Sequence, residues 1–310
     1  MTADVAVVGQ ISRDLVVLVS GRSEGAPVRE RRELLGGKGA NIAVGLAQLG
    51  ASVGLLGVVG DDEPAERLLR QAGTGGVDTG WVIRRRGTTT GLMVDARGED
   101  GRWRYLEDVP SAVRLTPDDV TEARPLLASA GTVVIQPQQP ADATLAAAEC
   151  AQAAGRRVVL DGRPGEDPLM RARLLAATDV LRLDRPSGAL LAGYPLDTVE
   201  AALRAADGLL RLGPALVVLD LAELGCLFVW ADQHLLLPHR GGPPADAAAD
   251  AFTAALAWSL TRGQGPRRAA RLAVAASGVA LAHPGGRPSL TSEALAPRLA
   301  ELDRHFAPAR

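Results

Sequence analysis

The chain has 310 residues, a formal net charge of −2 and only 3% aromatic side chains, which is enough chain for one large α/β domain or two smaller ones with a core of Ala, Val and Leu. The near-neutral balance gives no electrostatic footprint for nucleic acid or a membrane surface, and no apolar run is long enough to span a bilayer. Two distant cysteines, Cys150 and Cys226, make neither a disulfide framework nor a metal site and fit a reducing cytoplasm, and the start of the chain has no basic leader of the kind a signal peptide needs.

In chain order, short β-branched runs alternate with Ala/Leu-rich stretches. Strands are expected at 5–8, 53–59, 132–136, 157–161, 180–183 and 215–219, and helices at 41–49, 63–72, 141–154 and 199–212. Apolar runs alternating with helices imply a parallel sheet covered on both faces, with any ligand along the edge of the strand C-termini. Two stretches break the rhythm: a strand at 15–19 runs into polar, irregular chain at 20–33, and 92–96 and 103–106 flank a turn as a hairpin. The arginine clusters Arg29-Arg31-Arg32 and Arg84-Arg85-Arg86 read as solvated loops. Further on, 226–230 and 234–237 form another hairpin, followed by helices at 250–261, 266–281 and 292–305.

The single lysine of the chain, Lys38, lies in Gly36-Gly37-Lys38-Gly39-Ala40-Asn41 at the mouth of a helix. Such a turn brings backbone N–H groups close to a ligand. It is not a Walker loop, because no Ser or Thr follows the lysine. On local grounds a ligand-binding turn and a tight turn capped by Asn41 are equally good readings.

The surroundings decide between them. The run from Gly36 to Asp62, with Gly50-Ala51-Ser52-Val53-Gly54 and Gly57-Val58-Val59-Gly60-Asp61-Asp62, resembles the first signature of the PfkB family, the ribokinase-like sugar and nucleoside kinases. Val8-Gly9-Gln10-Ile11-Ser12-Arg13-Asp14 resembles the family's first strand and its sugar-binding Asp. The residues around Gly285-Gly286 resemble its nucleotide-side loop, and the likeness extends over nearly the whole chain. It implies a three-layer α/β/α sandwich with a mostly parallel central sheet. It also implies one domain over 1–310, with small β lid segments at about 14–35 and 90–107 that pair in a homodimer. On the sugar side it implies Ser12, Asp14, Gly37, Lys38 and Asn41, with Gln138 where ribokinases often carry a sugar-contacting acid. A carboxylate suits vicinal hydroxyls because it accepts two hydrogen bonds.

Pro244-Ala245-Asp246-Ala247-Ala248-Ala249-Asp250-Ala251-Phe252 stands where the family has its second signature. By resemblance Asp250 is the general base and the Ala247, Ala248 and Ala249 backbone forms an anion hole at a helix N-terminus. ATP and Mg²⁺ are the implied cofactors, with Asp184, Asp220, Ala222, Gly225 and Gly285 on the nucleotide side and no residue assigned as a metal ligand. The departures from the family gather here. Ala247 and Ala249 replace glycines, and Ala249 is strained if its φ is positive. Pro244 replaces an Asp, Ser187 replaces a Glu, and Asp220 brings negative charge toward the polyphosphate unless Arg182, Arg185 or a metal offsets it. Arg185 is also a candidate phosphate clamp. Three readings stay open: an ATP-dependent kinase for a sugar or nucleoside, a kinase homologue that binds the sugar or nucleoside without phosphotransfer, and a different reaction that uses Asp250.

Overall fold

The computed structural model describes residues 2–20, 27–98, 103–238, 246–282 and 289–305. Its strands are β1 (Val5–Val8), β2 (Ser12–Val19), β3 (Val28–Gly36), β4 (Val53–Leu56), β5 (Val58–Gly60), β6 (Val77–Asp78), β7 (Ile83–Arg85), β8 (Leu92–Gly98), β9 (Trp103–Asp108), β10 (Thr132–Ile135), β11 (Arg157–Asp161), β12 (Val180–Asp184), β13 (Leu216–Asp220), β14 (Cys226–Trp230) and β15 (Gln233–Leu237). Its helices are α1 (Lys38–Gln48), α2 (Glu63–Thr74), α3 (Pro117–Glu122), α4 (Arg124–Ser129), α5 (Ala141–Ala153), α6 (Pro168–Ala176), α7 (Arg185–Ala192), α8 (Val199–Leu210), α9 (Asp246–Thr261), α10 (Pro266–Leu281) and α11 (Ser292–His305).

Nine strands form the main sheet in the order β15-β14-β13-β12-β11-β10-β1-β4-β6. From β13 to β6 every pairing is parallel, and β14 and β15 add an antiparallel hairpin at one edge. Side chains alternate across a strand. Val5, Val7, Val134, Val159, Val180 and Val218 therefore enter one core with α1, α9 and α10. Ala6, Val8, Val133, Ile135, Leu181 and Leu219 enter a second core with α4, α5 and α8. With helices on both faces of a mostly parallel sheet, this is the three-layer α/β/α sandwich that the sequence implies.

A second sheet has the order β3-β2-β8-β9. Here β2 runs parallel to β8 and pairs antiparallel with β3, while β8 and β9 form the expected hairpin, whose turn lies outside the described residues.

Three expectations are corrected. The run 53–59 is not one strand: it divides at Gly57 into β4 of the main sheet and β5, which pairs with β7. A Cβ at Gly57 would lie 2.6 Å from the Gly9 carbonyl oxygen, so the chain bends where only glycine fits. The last part of the polar 20–33 segment, from Val28 on, is strand β3, whose Arg and Glu side chains are largely exposed. Arg84 and Arg85 lie in β7 and pair with Glu66 and Asp119. They are not a solvated loop.

Candidate active site

The site forms where β1 ends and α1 begins. Gly9 and Gly39 meet backbone to backbone: a Cβ on Gly39 would lie 2.6 Å from the Gly9 carbonyl carbon, and one on Gly9 would lie 2.8 Å from the Gly39 Cα. Gly37 has φ +85, and a Cβ there would lie 2.5 Å from the Gln10 carbonyl oxygen. The glycine-rich run thus lets α1 start directly on the end of the first strand.

Ser12 and Asp14 point from the start of β2 toward the end of β3. The Ser12 hydroxyl donates to Asp14 Oδ1 at 3.0 Å. Gly36 lies so close that a Cβ would fall 1.8 Å from the Asp14 carboxyl carbon. Ser12, Asp14, Gly37, Lys38 and Asn41 are thereby brought to one end of the main sheet.

Asp250, in the first turns of α9, is only 2% exposed. Asn41 Nδ2 donates to its Oδ2 at 2.9 Å, and Lys38 Nζ lies 3.9 Å from its Oδ1. Residues 247–250 are helical, so Ala249 lacks the positive φ that would strain it. The first turn of α9 offers the N–H groups that no helix bonds internally, at the positive end of its dipole. One turn further along both helices, a Cβ on Gly45 would lie 2.9 Å from the Ala254 Cβ. Contacts at 41 with 250 and at 45 with 254 mean that α1 and α9 run parallel, both presenting their N-termini to the site.

The nucleotide-side candidates lie along the same sheet edge. Asp184 and Asp220 are register partners at the ends of β12 and β13. Asp184 caps α7 through the Ser187 N–H, and Asp220 accepts from the Ala222 N–H. Arg182 Nη2 lies 3.6 Å from Asp220 Oδ2, whereas Arg185 lies 3.6 Å from the exposed Glu223. The offset to Asp220 therefore comes from Arg182. Ala222 has φ +54 and Gly225 φ +104, so the alanine in this loop adopts the left-handed conformation that glycine tolerates. Gln138 is exposed in the turn after β10. Gly285 and Pro244 lie outside the described residues.

The model of the pfkB family of carbohydrate kinases matches residues 2–293. The chain belongs to that family. It is 26% identical over 273 residues to a ribokinase of Staphylococcus aureus, covering 85% of this chain and 88% of the relative. It is 27% identical over 230 residues to a bifunctional ribokinase/ribose-5-phosphate isomerase A of Fructilactobacillus sanfranciscensis, covering 73% of this chain but only 42% of that protein's length. The solved structure of Arabidopsis thaliana ribokinase complexed with ribose and ATP superposes with a TM-score of 0.82 at 24% identity, over 96% of this chain and 99% of the other.

Within this family member, one set of buried polar residues escaped the sequence reading. Gln136, Asp161 and Thr253 join Arg182 beneath the strand ends. The available signal was a repeat: β11, β12 and β13 each end in Leu-Asp, and β12 carries an arginine inside an otherwise apolar strand.

Proposed function

We propose that the chain transfers the γ-phosphoryl group of ATP to a hydroxyl of a sugar or nucleoside, with Asp250 as general base. The observation that carries this reading is the buried Asp250 carboxylate in the first turns of α9, held by Asn41 and Lys38 from α1. Phosphoryl transfer needs positioning and charge stabilisation more than covalent chemistry, and this arrangement supplies both. Asp250 takes the proton of the attacking hydroxyl. The N–H groups of Ala247, Ala248 and Ala249 face the transferred group as an anion hole. Ser12, Asp14, Gly37, Lys38, Asn41 and Gln138 form the sugar side.

The residues on the nucleotide side fit ATP and Mg²⁺. Mg²⁺ takes one or two carboxylates and completes its shell with phosphate oxygens and water. Asp184 and Asp220 offer two such groups in adjacent register. The ion, when bound, neutralises polyphosphate charge. Arg182 already offsets Asp220, and Ala222 keeps the backbone shape of a glycine loop.

A second reading is a sugar- or nucleoside-binding protein without phosphotransfer. Ser187 at a position where the family carries a carboxylate favours it. The exposed apolar side chains Leu18, Val28, Tyr105 and Leu106 on the four-stranded sheet support a homodimer through this lid.

Calorimetric titration with MgATP, followed by a sugar and nucleoside phosphorylation panel, tests the kinase reading. Binding with turnover is expected, and Asp250→Asn should lower turnover by at least ~10²-fold. Sugar binding without nucleotide binding at millimolar MgATP would leave the binding-protein reading standing. Wild-type turnover in Asp250→Asn would remove the base assignment.

A further inference from the structure

Beneath the site, Gln136 just after β10, Asp161 at the end of β11 and Arg182 inside β12 form a polar row on the face that α9 covers. Asp161 is the centre of this row. Its Oδ1 accepts from Arg182 Nη1 at 2.8 Å. Its Oδ2 accepts from Gln136 Nε2 at 2.6 Å and from the Thr253 hydroxyl at 2.7 Å. Arg182 in turn lies over the Phe252 ring, 5.1 Å from its centroid, and Phe252 stacks on Phe228 of β14 at 5.9 Å. All five of Gln136, Asp161, Arg182, Phe252 and Thr253 are buried.

Phe252 and Thr253 follow Asp250 by two and three positions. The helix that carries Asp250 is thus tied to β10, β11 and β12 through Asp161, and to β12 and β14 through the Phe252 ring. Stability alone is a poor reason for this arrangement. A buried ion pair can often be replaced by apolar side chains at no net cost, and Arg182 Nε is buried with no acceptor among the described residues. What the row does provide is direction. A cation set between the Asp161 and Asp220 carboxylates, a ring and a hydroxyl permit one rotation and one height of α9 against the sheet, where the small side chains of the Ala-rich helix would tolerate several.

We propose that the Asp161–Arg182 pair, acting through Phe252 and Thr253, is the positioning device for Asp250. It fixes the carboxylate at the height where Asn41 and Lys38 meet it. The proposal rests on the reading of Asp250 as general base, and Asp161 and Arg182 are positioning residues rather than catalytic ones. On its other side Arg182 faces Asp220, so the same cation stands between the helix of the base and the nucleotide-side loop.

The test uses variants of the full chain. Thr253→Val keeps shape and removes one hydroxyl; Arg182→Met removes the cation. Amide hydrogen exchange is read first, because it needs no activity. Residues 247–254 should exchange about tenfold faster in Thr253→Val, the loss expected for one hydrogen bond to a charged group, while α10 stays at its wild-type rate. In sugar phosphorylation assays kcat should fall by a similar factor with the sugar KM within about twofold, since only the placement of the base has changed. Arg182→Lys, which keeps the charge but not the fork, should recover part of the loss in Arg182→Met. If Arg182→Met does not fold, Thr253→Val decides. Unchanged exchange in residues 247–254, or a uniform rise across α9 and α10, would overturn the positioning role. An Asp250→Asn protein with full turnover would instead remove the base reading, whatever the exchange pattern.

Discussion

Asn41 Nδ2 donates to Asp250 Oδ2 at 2.9 Å, joining the opening turns of two helices that stand 209 residues apart in the chain. A hydrogen bond to a buried charged group is worth ~1.5–3 kcal/mol. Asn41→Ala is therefore expected to lower turnover by roughly 10- to 100-fold. Initial-rate measurements at saturating sugar and MgATP check this, and wild-type turnover would mean that Asp250 holds its place without the amide.

Gly45 and Gly73 give opposite expectations for the same substitution. A Cβ at Gly45 would meet the Ala254 Cβ at 2.9 Å, while Gly73 in α2 has open space around it. Gly45→Ala should destabilise the protein by ~1–3 kcal/mol through overpacking and reduce turnover, because it pushes α1 from α9. Gly73→Ala should stabilise it by ~0.5–1 kcal/mol. Denaturant melts of the two variants would show opposite shifts; two shifts of the same sign would contradict the parallel packing of α1 on α9.

Ala222 has φ +54 in the turn between β13 and β14. A left-handed alanine costs roughly 1–2 kcal/mol, and glycine recovers part of that against its greater freedom when unfolded. Ala222→Gly should raise unfolding free energy by ~0.5–1 kcal/mol, measured by urea titration. A loss of stability would show that the methyl group contributes packing that outweighs its backbone strain.

Asp62 ties the start of α2 to the start of β8. Its carboxylate accepts from the Ala65 N–H, the Thr90 hydroxyl and the Thr90 N–H. Burial by itself would raise its pKa; the hydrogen bonds from Thr90 and Ala65 and the charge of Arg13 outweigh it and hold the group below its ordinary 3.8. A carboxyl depressed on folding stabilises above its ordinary value, and the contribution is lost as pH falls through the folded-state value. Asp62→Ala should cost ~1–2 kcal/mol near neutral pH. The gap between the two proteins should narrow once the pH drops below that ordinary value. Chemical melts across pH 2.5–7 (roughly the range over which a carboxyl titrates) check this, and a gap independent of pH would contradict it.

The sheet strands were legible because a doubly covered parallel sheet writes itself as continuous runs such as Val5-Ala6-Val7-Val8. The two C-terminal helices α10 and α11 carry the expected bounds for the same kind of reason, apolar period and a clear stop. Strand β3 was hidden because its Arg and Glu side chains remain largely exposed, so no apolar alternation marks it. Helices α6 and α7 are short and Arg-containing, with proline in the first turn, and give little periodic signal. At the site, Asp14, Lys38, Asn41 and Asp250 could be picked from motifs. The bond between Asn41 and Asp250 could not, because it depends on how two distant helices pack. The polar row at Gln136, Asp161 and Arg182 arises from the register of parallel strands, and no local window contains it.

The Asn41–Asp250 contact also has a kinetic meaning. Its loop closes over two thirds of the chain, and loops of that length form late because their entropy must be overcome before the contact exists. The glycine-rich turn on β1 can assemble from a short N-terminal stretch, but the partner carboxylate arrives only when α9 has docked. During refolding, sheet and helix signals should therefore return before activity does, and recovered turnover becomes a readout of the last step rather than of the first collapse.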